Sequence, residues 1–312
     1  MPLIHKNFQN AYTIFMPEIY IDNQTLPLKN LEKYYFPDEG IRKADILDYY
    51  IYAAPYLLPH IENKPFSMIH FPHGLGGDKK SFYQKQKPAD APEWLKSVTL
   101  PSGNERGSID WCLVNDAASV LYMVNRAVPE MHTWFSRLPD LTRPDIAVMD
   151  LDPSAGSDFG DVKKIALLYK KLLDELKLKS FPKLSGGSGL HIYIPIAPRP
   201  FKEVQTFLLT LSEIVIKEYP GLATAERTVS KRGTRVYLDA IQNASGKTIA
   251  APYSLRVKPG APVAVPLHWD ELKSRSVKPG VYNLKNVRYR LESVGDLTAG
   301  MYDIKQHIEF PS

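Results

Sequence analysis

Three aspartates in this 312-residue chain stand at the ends of apolar runs. Asp150 and Asp152 end IAVMDLD, with Leu151 between them, and Asp239 ends RVYLD. In an extended strand, side chains at i and i+2 leave from the same face, so Asp150 and Asp152 aim two carboxylates at one point. Two such groups a few ångströms apart repel, and one takes up a proton unless a cation sits between them. A hard divalent cation takes oxygen ligands of this kind. A third acid at another strand end completes the set that two bridging metals need for in-line phosphoryl transfer. One ion would lower the pKa of an attacking hydroxyl and the other would steady a leaving pyrophosphate. The D-x-D pattern alone is short. It also fits a turn DPSAG opened by Asp152, with Asp150 paired to a lysine, and Asp239 also fits a turn before the hairpin-like AIQNASGK.

A second chemical motif is KLSGGSGLHIYIPI, residues 183–196. Gly186, Gly187 and Gly189 let backbone N–H groups approach an anion closely. Ser185 adds a hydroxyl, and His191 opens the next strand where it could donate to a phosphate oxygen. The loop is neither G-x-G-x-x-G nor a Walker loop, since no GK[ST] follows. By itself it also fits a plain turn whose histidine bonds to backbone.

These groups need a frame. IAVMD (146–150) reads as a buried strand, HIYIPI (191–196) and RVYLD (235–239) as strands, and FSMIHF (66–71) as a strand that Pro72 ends. DFGDVKKIALLYKKLLDELKL (158–178) places Val162, Ile165, Ala166, Tyr169, Leu172, Leu173 and Leu176 on one helical face. KEVQTFLLTLSEIVIKEY (202–219) is a second amphipathic helix, and NDAASVLYMVNRAV (115–128) a third with Asn115 or Asp116 as N-cap. RKADILDYYIYAAPYLL (42–58) reads as a helix interrupted by Pro55. Residues 11–28 read as strand and turn, and 81–113 as strands around the turn PSGNERGS. Beyond residue 239 the pattern gives short strands, turns and a final helix or two. Helices and strands mix without a βαβ rhythm, which predicts an α+β fold with mixed or antiparallel central sheets flanked by helices.

Composition sets outer bounds. The chain is 44% hydrophobic and 23% charged, enough for a substantial core in one large domain or two packed lobes. One cysteine, Cys112, excludes an intramolecular disulfide framework and any multi-cysteine zinc module, and suits a reducing cytosol. Residues 1–20 lack a signal-peptide pattern and no apolar run reaches membrane-spanning length, so a cytoplasmic protein without a membrane partner is expected. The net charge of +5 permits a polyanionic partner, although surplus surface lysine explains it equally. There is no repeat, no low-complexity tract and no long linker.

In order and spacing, D-L-D, S-G-G-S-G-L-H and R-V-Y-L-D-A-I-Q-N together resemble the polymerase domain of bacterial ligase D. Those enzymes belong to the archaeo-eukaryotic primase superfamily and work in non-homologous end joining. NLEKYYFPDEGIRKADILDYY (30–50), IHFPHGLGGDKKSFYQK (69–85), PEMHTWFSR (129–137) and APYSLRVKPGAPVAVPLHWDEL (251–272) are similar too, so the likeness covers nearly the whole chain. It implies a single primase-polymerase-type catalytic domain over residues 1–312. Within it, about 1–135 would bind DNA ends and about 136–312 would form the catalytic core.

The resemblance also implies roles. Asp150, Asp152 and Asp239 would hold two divalent ions, Mn2+ or Mg2+. Ser185, Gly186, Gly189 and His191 would bind the incoming triphosphate with Arg256 and Arg232, and His132 would lie near the nucleotide. Lys33 and Lys43 would grip the 5′-phosphate of a DNA gap or end, while Phe82 and Tyr83 would stack on template bases. The activity implied is ribonucleotide or deoxyribonucleotide addition to a primer 3′-hydroxyl at gaps and broken ends, with untemplated addition as a side reaction. A separate ATP-dependent DNA ligase and the end-binding protein Ku are the implied partners, and the nucleoid the implied place of work. PSGNERGS is placed like the family's loop that brings two DNA ends together. Two departures stand out: Ser188 occupies a position where the family commonly has lysine, and Tyr83 replaces a second phenylalanine. The single residues have plainer readings. Lys33 and Lys43 could be surface charges, Phe82 and Tyr83 the two faces of a strand, His132 a core histidine, and Arg256 an ion-pair partner. Competing functions are a primase that starts chains de novo, a DNA-end-binding module without catalysis, and a metal-dependent phosphoesterase.

Overall fold

The computed structural model describes residues 17–76, 80–102 and 107–309. In chain order come β1 (Glu18–Ile21), β2 (Gln24–Pro27), β3 (Tyr34–Phe36), β4 (Ile41–Arg42) and helix α1 (Lys43–Ile61). Strands β5 (Pro65–His70), β6 (Phe82–Gln84), β7 (Ser97–Pro101) and β8 (Ser108–Leu113) follow, then α2 (Ala117–Asn125) and β9 (His132–Thr133). The second half holds β10 (Ile146–Pro153), α3 (Phe159–Glu175), β11 (Phe181–Leu184), β12 (Leu190–Pro195) and α4 (Phe201–Glu218). It ends with β13 (Ala223–Thr224), β14 (Val236–Asp239), β15 (Ile249–Ala250) and α5 (Val287–Val294).

Two sheets organise these elements. One has the order β11-β12-β10-β14-β13, antiparallel throughout except for the parallel β13–β14 edge. The other runs β15-β9-β5-β8-β7, with β6 paired to β5. The fold is α+β, as the mixed pattern predicts.

The first sheet shows why the carboxylates end up where they do. Ala147, Met149 and Leu151 of β10, Leu190, Ile192 and Ile194 of β12, and Val236 and Leu238 of β14 share one core with Val162, Ile165 and Tyr169 of α3 and Phe207 and Leu211 of α4. This is one face of the sheet, sealed by the two amphipathic helices. The alternate residues must point the other way. There Ile146, Val148 and Tyr193 join Phe135, Ile249 and Met301 in a smaller core. Further along that same face the apolar residues give way to Asp150, Asp152, His191 and Asp239.

Local sequence sets the helix ends. Asp158 caps α3 by accepting from the Asp161 amide at 3.0 Å, and Asp116 caps α2 by accepting from the Ser119 amide at 2.7 Å. The break expected at Pro55 does not occur, because α1 runs through both Pro55 and Pro59. Ile51, Pro55 and Pro59 all lie on its exposed side, where water can take the carbonyls those prolines leave free. Ala53, Ala54, Leu57 and Ile61 meanwhile stay buried on the other side.

A third core mixes distant parts of the chain. Tyr35, Ile46, Tyr50, Phe66, Val114, Leu121 and Met131 pack with Ala251, Leu255, Val263 and Leu291. Tyr282 touches both this core and the helix-covered one. Cys112 is buried here, and burial pushes its thiol up to about 11. Among the described residues no helix is long and apolar enough to cross a membrane.

Candidate active site

Strand β10 extends to Pro153, so Asp152 lies inside the strand and pairs in register with Tyr237. Asp150 stands opposite Asp239 on β14 and opposite His191 on β12, and His191 in turn stands opposite Lys183 on β11. Lys183, His191, Asp150 and Asp239 therefore form one row across four neighbouring strands, with Asp152 one step along on the same face. Like charges set directly opposite each other in a ladder are unfavourable.

Electrostatics bear out this crowding. Burial raises the carboxyl pKa of Asp150 well above its ordinary value, and the charges of Asp152 and Asp239 raise it further. Asp152 is raised by burial and by Asp239, and Asp239 by burial. Burial also drives His191 well below its ordinary value, helped by the charges of Lys183, Arg256 and His132, so its imidazole is neutral. Burial likewise lowers Lys183. His191 Nε2 lies 3.4 Å from Asp150 Oδ1, but without hydrogen-bond geometry, so Asp150 Oδ1 is buried with no hydrogen-bond partner. An orphaned carboxylate oxygen amid mutually repelling acids is the chemistry a divalent cation relieves, and the donor set is hard oxygen. The acids fit such an ion but do not enclose one: among the described residues no three His, Cys, Asp or Glu side chains form a ready metal-holding group.

The glycine loop between β11 and β12 leans directly on this row. A Cβ at Gly189 would sit 2.4 Å from the Leu151 carbonyl oxygen and 3.0 Å from Asp152 Oδ1, so only glycine fits beside the D-x-D. Gly186 has φ +71°, and its Cβ would meet Arg256 Cγ at 2.6 Å. Ser185 Oγ accepts from the amides of Gly187 (3.1 Å) and Gly189 (3.2 Å), folding the loop on itself. The amides of Gly186 and Ser188 have no partner among the described residues.

Arg256 links the two sheets. Its Nε donates to Glu130 Oε2 at 3.0 Å and its Nη1 to the Ser185 carbonyl at 3.0 Å. His132 Nε2 lies 2.7 Å from Glu130 Oε2, and the Val257 amide donates to Glu130 Oε1 at 2.7 Å. Burial alone would raise Glu130, but the His132 hydrogen bond and the Arg256 charge outweigh it and bring its pKa to about 2. Arg232 lies over the Tyr237 ring at 3.7 Å and donates to the carbonyls of Glu226 and Arg227. Both arginines are close enough to act on Asp152.

The roles of two residues here escape sequence reading. Glu130 organises His132 and Arg256, and nothing in PEMHTW beyond its nearness to His132 marks it. Asn243 is fully buried: its Oδ1 accepts from the Val148 amide at 2.8 Å and its Nδ2 donates to the Val148 carbonyl at 2.7 Å. Its side chain thus stands in for the strand that ends at Asp239, tying the following turn to β10. Asp239 Oδ1 accepts from the Gln242 amide at 3.0 Å and caps that turn.

The expected DNA-contacting residues lie outside the sheet that carries the acids. Phe82 and Tyr83 are 49% and 73% exposed, so neither is a core residue, and Phe82 stacks on His70 at 4.6 Å and 7°. Lys33 donates to the Pro72 carbonyl and is partly buried. Lys43 is buried, and its ammonium donates to the Lys29 carbonyl (2.7 Å), the Asn125 carbonyl (2.6 Å) and Asn125 Oδ1 (2.8 Å). Burial and the charges of Lys33 and Lys29 lower Lys43 to about 8. The tip of PSGNERGS, residues 103–106, lies outside the described residues.

Comparison with known proteins is consistent with this geometry. Residues 42–298 match the family described as LigD, primase-polymerase domain. The bifunctional non-homologous end joining protein LigD of Bacillus subtilis (strain 168) is 35% identical over 272 residues, 86% of this chain and 43% of that protein. The multifunctional non-homologous end joining protein LigD of Mycolicibacterium smegmatis is 31% identical over 275 residues, 87% of this chain and 35% of that protein. The chain thus spans less than half the length of these curated relatives. A solved structure described as the polymerase domain from Mycobacterium tuberculosis ligase D in complex with DNA has a TM-score of 0.83 and 29% identity, covering 90% of this chain and 99% of that one. The chain belongs to the LigD primase-polymerase domain family.

Proposed function

We propose that this protein is a DNA repair polymerase of non-homologous end joining, transferring nucleotides to the 3′-hydroxyl of a primer at gaps and broken ends. The observation that carries the reading is the row in which Asp239, Asp150 and His191 stand side by side, with Asp152 beside them and the glycine loop packed against Asp152. The relatives named above work in end joining, and the structural neighbour holds DNA, which supports DNA as the partner here.

In this reading Asp150, Asp152 and Asp239 hold the divalent ions, Mn2+ or Mg2+. When bound, those ions supply charge stabilisation to the transferring phosphoryl group. The chain's own residues do the rest. Arg256, fixed by Glu130, braces the glycine loop through the Ser185 carbonyl and sets the position of the triphosphate. Neutral His191, wedged between Lys183 and Asp150, presents a nitrogen to a phosphate oxygen. Arg232 adds positive charge near Asp152. The exposed Phe82 and Tyr83 offer flat faces to unpaired template bases. Lys33, with Lys29 and Lys43 nearby, forms a positive cluster suited to a 5′-phosphate. The chain works as one domain, its end-binding and catalytic parts sharing buried apolar surface. A ligase activity and Ku complete the repair.

The test is primer extension on 5′-phosphorylated gapped DNA, comparing ribonucleotides with deoxyribonucleotides and manganese with magnesium. The wild type incorporates nucleotide and releases pyrophosphate only with a divalent ion. Asp150→Ala, still folded by circular dichroism, loses several orders of magnitude in rate. Extension at a near-normal rate by that variant would refute the assignment of the acids.

A further inference from the structure

The glycine loop, residues 185–189, carries no cationic side chain of its own. A nucleoside triphosphate seated on it would need positive charge from elsewhere. Three cations act on Asp152, against which the loop packs: Arg232, Lys258 and Arg256. Two of them have donors already engaged, Arg232 with the carbonyls of Glu226 and Arg227 and Arg256 with Glu130 and the Ser185 carbonyl. Lys258 differs. It is exposed, and its ammonium makes no hydrogen bond or ion pair among the described residues.

Its position is specific. A Cβ at Gly187 would meet Lys258 Nζ at 2.9 Å and Ser185 Oγ at 3.4 Å, so ammonium and hydroxyl flank the same glycine. The unpartnered amides of Gly186 and Ser188 adjoin it in the chain. The backbone beneath Lys258 is held firmly. The Lys258 amide donates to the Arg256 carbonyl at 2.9 Å, the Ala261 amide donates to the Lys258 carbonyl at 3.0 Å, and the Gly260 amide donates to the Glu39 carboxylate. The stem is thus anchored while the head is free.

Resting on the polymerase reading, we propose that Lys258 is the cation that takes the outer phosphates of the incoming nucleoside triphosphate, reaching the glycine loop from the R-V-K-P-G turn. A lysine head acts on phosphate as a movable point charge, and charge-assisted hydrogen bonds to phosphate are among the stronger ones. Its place over Gly187 also gives that glycine a role, since a side chain there would displace the ammonium.

Equilibrium binding of ATP and of AMP to the full chain in manganese tests this, with Lys258→Ala and Lys258→Arg beside the wild type and thermal melting as the folding control. In Lys258→Ala, ATP binds about tenfold more weakly while AMP binding and primer-DNA binding are unchanged. Lys258→Arg recovers most of the ATP affinity, and the KM for nucleotide in primer extension follows the same order. Equal weakening of ATP and AMP, or weakening of neither, overturns the proposal. So does a loss of primer-DNA affinity with ATP binding intact, which would give the ammonium to the DNA backbone. A wild type that binds ATP no better than AMP and extends no primer would overturn the polymerase reading itself.

Discussion

Asp239 stands directly across from Asp150 in the β14–β10 ladder, and both are acids that burial pushes toward the neutral form. The pair costs the fold stability when no cation is present, by roughly 0.2–1 kcal/mol for two like charges set opposite each other and more where they are buried. A carboxyl whose folded pKa lies above its unfolded value loses stabilisation as pH rises from the unfolded value through the folded one. The metal-free protein should therefore lose melting temperature as pH climbs from about 4 toward neutrality. Divalent ions should restore more of it at neutral pH than in acid. Asp150→Asn should melt higher than the wild type without metal and gain little from Mn2+. A scanning-calorimetry series with and without the ion decides it, and a wild type whose melting ignores both pH and metal would contradict the picture.

Asn243 replaces a missing strand. Substituting leucine leaves the Val148 N–H and C=O buried and unpaired, at a cost of roughly 2–4 kcal/mol. Because the same turn carries Asp239, extension activity should fall further than the loss of folded protein explains. Urea melts combined with rates per folded molecule separate the two effects.

Glu130 should make the fold sensitive to acid. Its folded pKa of about 2 lies below the ordinary 4.5, so its contribution is complete above about pH 4.5 and is lost as pH falls toward 2. That difference corresponds to roughly 3 kcal/mol. Glu130→Gln should flatten the acid limb of the stability curve and weaken nucleotide binding by loosening His132 and Arg256. An unchanged acid limb would show that other carboxylates govern it.

Lys33 and Lys43 should behave differently. Lys43 gives all three of its ammonium hydrogens to carbonyl oxygens in a buried setting, so Lys43→Ala should cost stability by about 2–3 kcal/mol. Lys33→Ala should leave melting nearly unchanged. It should reduce the preference for 5′-phosphorylated over unphosphorylated gapped DNA and flatten the salt dependence. Fluorescence anisotropy with the two DNAs reads this directly.

Much of the site was legible in the sequence because strand periodicity is local. The i, i+2 spacing of Asp150 and Asp152 fixes their common face before any partner strand is known. That Asp239 falls opposite Asp150 and not opposite Leu151 is a matter of register, which no local pattern carries. Lys43 illustrates the same limit: lysine usually stays solvated, and only the convergence of α1 with residues 29 and 125 supplies three carbonyls. At Pro55 the signal was present but outweighed. The buried spacing of Ala54, Leu57 and Ile61 continues past the proline, and it prevailed because the lost hydrogen bond faces water. Asn243 reads as hairpin polarity, and only its complete burial reveals it as a surrogate for backbone.

In the segment from Ala251 to Leu291, Ala251, Leu255, Val263 and Leu291 pack beside Tyr50 and Phe66 near the start of the chain, while Leu267, Leu272 and Val277 stay in the core of the catalytic sheet. The segment acts as a clasp. Cutting the chain near residue 135 would therefore not yield two self-sufficient pieces: the front fragment would expose a greasy trench where Leu255 and Val263 belong, and the rear fragment would trail the matching plug. Mixed together, the two should find each other and rejoin, as complementing halves of a split enzyme do.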